Sequence, residues 1–450
     1  MASVPCAVLS SLVSRGIVKD STTQSLSALL KSGKRVAAYA GFDPTATSLH
    51  VGNLAVMVAL QHLAFSGFDA VWLVGGMTGS IGDPSGKSTE RPVLGDAALQ
   101  LNVAGISNSI AAFTKHSTEW VQASGAATQV GAGCKGCIVD NAAHYEGMGV
   151  ASFFRDVGRH MRVSSMLSRE SVAARMRGDG DGVSLTELTY QAFQAYDFAA
   201  LHRSHNAVLQ VGGSDQWGNI CAGIDLTHRL HRAAVHGVTV PLLTTKAGQK
   251  FGKSEGNAVW LNPDETSHYE FFQYMMGVDD DDVGDLLRRL TLLQAQEIDT
   301  ILMEHKAEPE ARKAQRALAE HTTLITRGRS GLQSAAASTD IMFGGANAFA
   351  LTLDQLKAAS ALGGGGVPCI ELPASEVVGK SAASVAAKAG LAASVSEGKR
   401  LQKSGGLYVN GKRAPNSVLA LEDLLHGQAL LLRSGKRKHC IVFLQECTQA

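Results

Sequence analysis

The chain has 450 residues, of which 45% are hydrophobic and 18% are charged. This composition is typical of soluble globular proteins and argues against a disordered, fibrous or membrane-embedded chain. The 41 lysine and arginine residues balance 40 aspartate and glutamate residues, so the formal net charge of +1 indicates no polyanionic partner for the chain as a whole. At roughly 100 to 200 residues per domain, about three domains are expected.

The cysteines and the N-terminus bear on the cellular compartment. Seven scattered cysteines form no repeating framework, which favours a reducing compartment over a disulfide-built secreted protein. No apolar run approaches the roughly 20 residues that span a bilayer, so no membrane partner is predicted. The first acidic residue is Asp20, as in some mitochondrial transit peptides, but the apolar spacing of residues 6–18 favours an amphipathic helix. The predicted compartment is the cytoplasm, or the mitochondrial matrix if the protein is eukaryotic.

The first half of the chain alternates between strand and helix patterns. Residues 35–42 are a short apolar run typical of a buried strand, residues 53–65 carry apolar residues at helical spacing, and residues 69–74 read as a strand again. Another strand is predicted over residues 207–211, before a helix that starts at Asp215. This pattern predicts an α/β fold with a doubly wound, parallel, Rossmann-like catalytic sheet in residues 1–245, whose ligands bind beyond the carboxyl ends of the strands.

The second half has a different organisation. Residues 267–332 carry apolar residues every three or four positions without a strand signal, which predicts a helical domain within residues 246–360. The run Gly363 to Gly366 predicts a flexible linker over residues 361–369. Residues 370–450 hold 11 basic and 6 acidic side chains, so 11 − 6 = +5, which predicts a small, basic α+β RNA-binding domain.

Two loop motifs are candidates for the chemistry. The sequence GFDPTATSLHVGN lies between a predicted strand and helix, where free N–H groups and the helix dipole favour a phosphate. Thr45 and His50 can donate hydrogen bonds to that phosphate, and Gly52 lets a flat base approach the backbone. The sequence KFGKS places Lys250 and Lys253 in a segment that can close on pyrophosphate. Each motif alone is equally consistent with ordinary solvated polar residues, but their order on opposite halves of one sheet argues against coincidence.

These motifs resemble the two signatures of class I aminoacyl-tRNA synthetases, His-x-Gly-His and Lys-Met-Ser-Lys-Ser. Five ordered stretches are similar to the bacterial and organellar tyrosyl-tRNA synthetases: YAGFDPTATSLHVGNL, LVGGMTGSIGDPSGKSTER, LTELTYQAFQAYDF, LQVGGSDQWGNI and KFGKSEGNAVWL. The resemblance covers nearly the whole chain. It implies tyrosine–tRNA ligase activity with L-tyrosine, ATP and tRNA(Tyr) as partners, Mg²⁺ accompanying ATP, and a homodimer.

The resemblance also implies a tyrosine pocket. A site that selects tyrosine over phenylalanine needs buried partners for the phenol hydroxyl, here Tyr39 and Asp197, which phenylalanine would leave unsatisfied. Asp83, Tyr190 and Gln194 would hold the α-amino group, because an ammonium group requires a carboxylate and other acceptors. Gln210 would support that pocket, and Gln216 would lie near the tyrosyl carboxylate.

The same resemblance implies the ATP site. Asp43, Gly52 and Gly213 would line it, and Asp215 would bind the ribose hydroxyls. The γ-phosphate and the leaving pyrophosphate would meet a set of polar and cationic side chains: Thr45, His50, Lys87, Arg91, Lys250 and Lys253. No covalent nucleophile is needed, because the substrate carboxylate attacks the α-phosphorus. Asn53 stands where the family motif often has His; it keeps a hydrogen-bond donor but is never cationic, so activity is expected with altered ATP affinity.

The basic C-terminal segment resembles the RNA-binding fold of a ribosomal small-subunit protein. Lys399, Arg400, Lys403, Lys412 and Arg413 would contact tRNA phosphates. The alternative is an ordinary solvated charged face, because a short basic cluster is a weak pattern. The acidic run at residues 279–282 is interpreted as a solvated loop or helix start.

Two motifs and two rival functions are set aside. GDPSGKS has one residue too few between its glycines for a P-loop, and Cys134 and Cys137 lack further zinc ligands, so no metal site is predicted. A tryptophan-activating enzyme is disfavoured by the Tyr39 and Asp197 pair, which suits a phenol. An RNA-binding protein with decayed catalysis is disfavoured by the complete set of candidate catalytic residues.

Overall fold

Backbone contacts divide the chain into two compact units. Unit 1 comprises Met1–Leu261 and Val278–Thr326, and unit 2 comprises Asn262–Gly277 and Arg327–Ala450. The predicted division at residues 245, 360 and 369 remains a prediction. The structure, a computed structural model, describes residues 4–22, 35–85, 94–124, 136–177, 182–246, 248, 250–254, 257–343, 350–360, 366–435 and 438–445.

The central feature of unit 1 is a six-stranded sheet of order β1-β6-β5-β2-β3-β4. Its strands are β1 (Asp20–Ser21), β2 (Ala37–Phe42), β3 (Asp69–Val74), β4 (Cys137–Asp140), β5 (Ala207–Gly213) and β6 (His236–Val240). Strands β2 to β6 are parallel, whereas the two-residue β1 pairs antiparallel with β6 at the edge. The predicted doubly wound parallel sheet is confirmed. Strand order reverses between the neighbours β2 and β5, and this switch point is where such sheets bind ligands.

The first 343 residues also form thirteen α-helices within the described ranges. They are α1 (Val4–Ser14), α2 (Val51–Phe65), α3 (Asp96–Ala123), α4 (Ala142–Tyr145), α5 (Val150–Asp156), α6 (Val163–Leu167), α7 (Glu170–Arg177), α8 (Leu185–His205), α9 (Trp217–His231), α10 (His268–Met276), α11 (Asp280–Leu290), α12 (Ala295–Ala307) and α13 (Lys313–Phe343). The helical pattern predicted for residues 267–332 is confirmed. In the part of the chain that is described, no helix is long and apolar enough to cross a membrane.

The core of unit 1 explains why its strands read as apolar runs. Helix α2 buries ten residues, and Tyr39, Val71 and Leu73 pack on the other face of the sheet with Phe198 and Leu201 of α8. Strands covered on both faces cannot expose polar side chains along their length. The strands are therefore largely apolar, and polar residues within them, such as Gln210 of β5 and Thr239 of β6, are buried. Helix α8 itself begins with a capping box, in which the Glu187 N–H donates to the Ser184 hydroxyl at 3.2 Å.

Unit 2 contains a five-stranded sheet of order β11-β10-β12-β13-β9. Its strands are β9 (Cys369–Leu372), β10 (Leu407–Val409), β11 (Lys412–Arg413), β12 (Ala429–Ser434) and β13 (Lys438–Leu444), and its further helices are α14 (Leu353–Ala359), α15 (Ala382–Lys388) and α16 (Val395–Lys403). The two-residue strands β7 (Lys253–Ser254) and β8 (Asn257–Ala258) pair with each other in unit 1. The predicted small α+β fold at the C-terminus is confirmed.

Both faces of the unit 2 sheet are covered. One face packs with Ala382, Val385 and Ala386 of α15. The other packs with Ala337 and Ile341 of α13 and with Leu356 and Ala359 of α14. The C-terminal sheet therefore shares a core with the segments on the far side of the predicted linker, whose residues 361–365 lie outside the described ranges.

Candidate active site

Polar side chains follow three neighbouring strands, β2, β3 and β4, and form one hydrogen-bonded chain. Asp43 follows β2, Thr78 lies beyond β3, and Asn141 follows β4. The Asn141 amide donates to the Thr78 hydroxyl at 3.0 Å, and that hydroxyl donates to Asp43 at 2.9 Å. Gly75 permits this arrangement, because a Cβ there would lie 2.4 Å from the Thr78 hydroxyl and 2.5 Å from Asp43. These hydrogen bonds thus fix the polar side chains at the carboxyl edge of the sheet.

Asp197 of α8 is a carboxylate at this edge that accepts three hydrogen bonds, and only 2% of the residue is exposed. Its Oδ2 accepts from Asn141 Nδ2 at 2.9 Å. Its Oδ1 accepts from His144 Nδ1 at 2.9 Å and from the Tyr145 hydroxyl at 3.0 Å. Burial raises the pKa of Asp197, and the hydrogen bonds from His144, Asn141 and Tyr145 act in the opposite direction.

Tyr39 lies beside this carboxylate with its ring edge-on to Phe198 at a centroid distance of 5.0 Å. Its hydroxyl is buried, and no hydrogen-bond partner for it exists among the residues described. Burial, and secondly the charge of Asp197, raises the pKa of Tyr39 well above its usual value. A buried hydroxyl without a partner costs free energy, so this atom is suited to bind a ligand.

A second group of acceptors lies along α8 and the end of β5. Tyr190 donates its hydroxyl to Asp43 at 2.8 Å, and Gln216 Nε2 donates to Asp83 at 2.6 Å. Burial raises the pKa of Tyr190 well above its usual value, and the neighbouring carboxylates of Asp43 and Asp83 act in the same direction. The amide oxygens of Gln194 and Gln210 are buried without a partner within the described ranges. Carboxylates and free amide oxygens are the partners that an ammonium group requires.

The two loop motifs lie against each other at the start of α2. The Val51 N–H donates to the Val259 carbonyl at 2.9 Å, and the Leu261 N–H donates to the Leu49 carbonyl at 2.8 Å. Gly252 of KFGKS has φ +92°, and a Cβ there would lie 3.1 Å from the Gly52 nitrogen. This close approach with positive φ requires glycine. The KFGKS segment is thus fixed at the helix N-terminus where a phosphate is favoured.

His50 and Asn53 form the cap of this helix. Asn53 accepts a hydrogen bond from the His50 N–H through Oδ1 at 3.1 Å. The His50 ring lies 6.1 Å from the ring of Trp260, and a Cβ on Gly52 would approach the His50 ring to 2.7 Å. Because Asn53 uses its oxygen for the cap, its Nδ2 is the atom left to donate to a ligand.

The remaining candidates are more exposed or lie outside the described ranges. Thr45 and Lys250 are exposed, and Asp215 is exposed with its Oδ2 3.2 Å from Gln216 Nε2. A Cβ on Gly213 would lie 2.5 Å from the Asp215 carboxylate, so a larger residue at position 213 would displace that side chain. The backbone of Lys253 pairs with Ala258. Lys87, Arg91 and Cys134 lie outside the described residues.

The five basic candidates belong to unit 2. Lys399, Arg400 and Lys403 are exposed on α16, and Lys412 and Arg413 are exposed on β11. Strands β10 and β11 are joined by Asn410 and Gly411 with φ 47° and 82°, a turn that Asn-Gly sequences favour. Gly398 allows α16 to approach α15, because a Cβ there would lie 2.6 Å from the Ala383 carbonyl oxygen.

Four site residues were not found from the sequence: Thr78, Asn141, His144 and Tyr145. In the sequence, Asn141 is marked only by its position after CIVD, an apolar run of strand length. This run forms β4, which is not among the predicted strands. For the other three, the contacts with Asp43 and Asp197 join residues more than 30 positions apart. No group of three metal-ligating side chains occurs in the ranges that the structure describes.

Comparisons with known proteins agree with this geometry. A family profile, the class I tRNA synthetases for tryptophan and tyrosine, matches residues 31–344. A tyrosine–tRNA ligase of Anaeromyxobacter dehalogenans is 41% identical over 437 residues, which is 97% of this chain and 99% of that protein. One from Protochlamydia amoebophila is 38% identical over 442 residues, 98% of this chain and 99% of that protein.

Among solved structures, a C-terminally truncated mitochondrial tyrosyl-tRNA synthetase of Aspergillus nidulans matches with a TM-score of 0.67 and 29% identity, covering 75% of this chain and 94% of that one. Identity of about 40% over nearly the full length of both chains shows common family membership and not only a similar fold. The chain belongs to the tyrosine–tRNA ligases, bacterial-type class I aminoacyl-tRNA synthetases.

Proposed function

We propose that this chain activates L-tyrosine with ATP to tyrosyl-adenylate and pyrophosphate, and then transfers the tyrosyl group to the 3′ end of tRNA(Tyr). One observation supports the choice of amino acid: the buried Tyr39 hydroxyl has no hydrogen-bond partner among the described residues, and the charge of the buried Asp197 carboxylate acts on it. A phenol hydroxyl accepts one hydrogen bond and donates one. The substrate oxygen accepts from Tyr39 and donates to Asp197, which phenylalanine cannot do.

The α-amino and carboxylate groups of tyrosine then lie towards the second group of acceptors. Asp83 supplies the charge that an ammonium group requires, and the partnerless amide oxygens of Gln194 and Gln210 supply neutral acceptors. Tyr190 holds Asp43 in place, and Gln216 orients Asp83 near the substrate carboxylate. Filling these acceptors removes the cost of leaving them buried and unpaired.

Adenylation requires alignment and charge stabilisation rather than a protein nucleophile. The tyrosine carboxylate attacks the α-phosphorus, and the bond to pyrophosphate breaks. Asp43, Gly52 and Gly213 line the nucleotide, and Asp215 binds its ribose. The negative charge on the departing pyrophosphate is stabilised by a set of donors and cations: Thr45, His50, Asn53, Lys87, Arg91, Lys250 and Lys253. Val259 is hydrogen-bonded to both Val51 and Gly252, and Gly252 lies close to Gly52; these contacts of the KFGKS segment near the start of α2 support the assignment.

Mg²⁺ enters with ATP. The ion is held by the phosphate oxygens, because Mg²⁺ prefers hard oxygen ligands and keeps several of its waters. Its chemistry is to neutralise the charge that develops on the pyrophosphate.

The exposed basic residues of α16 and β11 bind tRNA phosphates. Phosphate contacts give affinity and position but no sequence choice, so base contacts elsewhere must identify the tRNA. The relatives come from bacteria and from fungal mitochondria, so the bacterial cytoplasm and the mitochondrial matrix are both compartments in which this reaction serves translation.

The chain acts as a homodimer. Large apolar side chains on the short helices α5 and α6 are exposed, with Val150 at 75%, Phe154 at 54% and Val163 at 60%. Apolar groups concentrated in one segment are typical of subunit contacts. Phe154→Asp should convert a sedimenting dimer into a monomer, and a wild-type protein that sediments as a monomer contradicts the assignment.

The function is tested by ATP–pyrophosphate exchange on the purified chain. Exchange should depend on tyrosine and be absent or far weaker with phenylalanine and tryptophan, and aminoacylation of tRNA(Tyr) should follow. Asp197→Asn, which keeps the side-chain shape but loses the charge, should lower kcat/KM for tyrosine by about 10- to 100-fold. Exchange that responds only to tryptophan would overturn the proposal.

A further inference from the structure

The Asp197 carboxylate has one acceptor position left for a substrate. A carboxylate offers about four lone-pair directions on two oxygens. Oδ1 is occupied by His144 and Tyr145, and Oδ2 is occupied once, by Asn141. A ligand hydroxyl that approaches Asp197 must therefore donate to Oδ2. The donors around the carboxylate determine both where the substrate binds and whether Asp197 is ionised to receive it.

His144 is the donor with the least competition for its proton. It lies in α4, the four-residue helix that follows β4 and Asn141, and its side chain is 10% exposed. A carboxylate accepts hydrogen bonds, so the 2.9 Å contact places the His144 proton on Nδ1. The Tyr145 hydroxyl has a single proton and lies 2.9 Å from the Phe193 carbonyl as well as 3.0 Å from Asp197.

Asn141, unlike His144, also makes hydrogen bonds that stabilise the local structure. Its Oδ1 accepts from the Met77 N–H at 2.8 Å, and its Nδ2 also donates to Thr78. Asn141 therefore fixes the loop beyond β3, and its replacement would disturb Asp43 through Thr78. His144 makes its described side-chain hydrogen bond to Asp197 alone, so a change at His144 acts on that carboxylate.

We propose that His144 is a positioning residue for amino-acid selection, which holds Asp197 ionised and directs its free Oδ2 lone pair at the substrate phenol. The inference rests on the proposed function and adds a residue to it. Burial raises the pKa of Asp197, and the hydrogen bond from His144 is the largest influence that lowers it. Without that donor, Asp197 takes up a proton more readily, and the uncharged carboxyl is a weaker acceptor for the phenol.

The test compares tyrosine and phenylalanine in ATP–pyrophosphate exchange with the full-length chain. His144→Leu should raise the tyrosine KM about tenfold, with kcat and the ATP KM nearly unchanged, and should lower the tyrosine-to-phenylalanine ratio of kcat/KM about tenfold. His144→Asn places an N–H close to the position of Nδ1 and should restore both quantities to within about threefold of wild type. Tyr145→Phe should have a smaller effect than His144→Leu, since that hydroxyl shares its proton.

A matched control removes a histidine–carboxylate pair outside the cleft. His116 Nδ1 lies 3.3 Å from Glu119 on the surface of α3, and His116→Leu should leave the ratio unchanged. Tyrosine affinity measured by calorimetry supplies a readout without ATP. An unchanged ratio and affinity in His144→Leu, or a His144→Asn protein as poor as His144→Leu, would overturn the inference. A wild-type chain without tyrosine-dependent exchange would instead contradict the proposed function.

Discussion

Individual buried polar atoms in the cleft lack partners, and this has a cost in the free protein. The Tyr39 hydroxyl and the amide oxygens of Gln194 and Gln210 are each buried without a hydrogen bond to any residue that the structure describes. An unsatisfied buried group costs about 1–3 kcal/mol, so such atoms persist where a ligand completes them. Stability and activity should therefore respond in opposite directions when one of them is removed.

Tyr39→Phe tests this directly. Loss of the hydroxyl should raise the tyrosine KM about tenfold while the use of phenylalanine stays the same, because only tyrosine presents an oxygen to that atom. The free energy of unfolding of the ligand-free protein should rise by up to about 1 kcal/mol, measured by urea denaturation.

Tyr190→Phe is the matched control for Tyr39→Phe. The Tyr190 hydroxyl has a partner, Asp43 at 2.8 Å, so its removal should lower rather than raise the free energy of unfolding. If Tyr39→Phe destabilises the free protein as much as Tyr190→Phe does, the Tyr39 hydroxyl has a partner in solution.

Site residues differed in how well the sequence could reveal them. Tyr39, Asp43 and Asp197 lie within recognisable motifs, so the family resemblance indicated them. His144 and Tyr145 lie in a stretch without a motif, and their role depends on contact with a residue 53 and 52 positions away. Hydrogen bonds of this kind depend on the fold and leave no local pattern.

At the scale of single elements, the conformation of the KFGKS segment restricts which residue can occupy position 252. Gly252 has φ +92°, and a Cβ added to it would lie 3.1 Å from the Gly52 nitrogen. Gly252→Ala should push the segment away from α2, lowering the rate of adenylate formation about tenfold or more while the tyrosine affinity is unchanged. Single-turnover kinetics and equilibrium binding separate the two quantities.

Gly248→Ala is the control for Gly252→Ala. Gly248 also has positive φ, at +80°, but a Cβ there would meet nothing within 4 Å. It therefore introduces the same kind of backbone strain without the clash. Equal loss of rate in both variants would attribute the effect to strain in the loop rather than to its contact with the start of α2.

Helices α2 and α13 contribute two buried histidines that make stability depend on pH. Burial lowers the pKa of His62 to about 3 and that of His321 to about 3, with Arg15 adding to the effect in both cases. Unfolded histidine titrates near 6.5. As pH falls below that value the unfolded chain binds protons that the folded chain does not, so the free energy of unfolding should decrease from about pH 7 towards pH 3, by up to about 1.4 kcal/mol per pH unit for each histidine.

His321→Gln isolates one of these contributions. His321 accepts from the Leu292 N–H through Nε2 at 3.0 Å, and glutamine can supply an oxygen acceptor without titrating. Urea denaturation between pH 7 and pH 4.5 should show a shallower decline for the variant. Parallel curves for variant and wild type would mean that His321 is protonated in the folded state.

Element boundaries show where sequence reasoning was sufficient. The predicted strand at residues 69–74 matches β3, whereas the predicted strand at residues 207–211 continues to Gly213 and the helix expected at Asp215 begins at Trp217 after a short turn. Strands β1, β4 and β6 of this sheet were not predicted. A two-residue antiparallel edge strand has no periodicity to detect, and β4 is exposed in part, which weakens its apolar pattern.

At the scale of the whole molecule, the basic C-terminal sheet is built into a larger core. Leu356 and Ile341 share a cluster with Ile441 and Phe443 of β13. Composition suggested a separate module on a glycine linker, because four glycines in a row are the strongest local signal for flexibility. Burial of an entire sheet face by α13 and α14 is a tertiary contact that composition does not reveal. The exposed basic residues of α16 and β11 thus belong to a unit that also includes α10.

This arrangement leads to a prediction about salt. Lys399 and Arg400 are exposed on α16, and each tRNA phosphate that they bind releases counterions. The double change Lys399→Ala and Arg400→Ala should weaken tRNA binding and reduce the slope of log K against log salt by about 1 for each phosphate that is no longer bound. Tyrosine-dependent ATP–pyrophosphate exchange should be unaffected, since that reaction involves no RNA.

Lys388 provides a control within the same unit for the loss of one positive charge, because its Nζ lies 2.7 Å from Glu376. Its charge is already paired, so Lys388→Ala should change the salt slope by much less than either α16 residue. Filter binding at several salt concentrations measures all three proteins under the same conditions. If the Lys388 variant and the α16 variant lose slope equally, the interaction follows net charge, and the basic residues of α16 are a solvated face rather than a phosphate-binding surface.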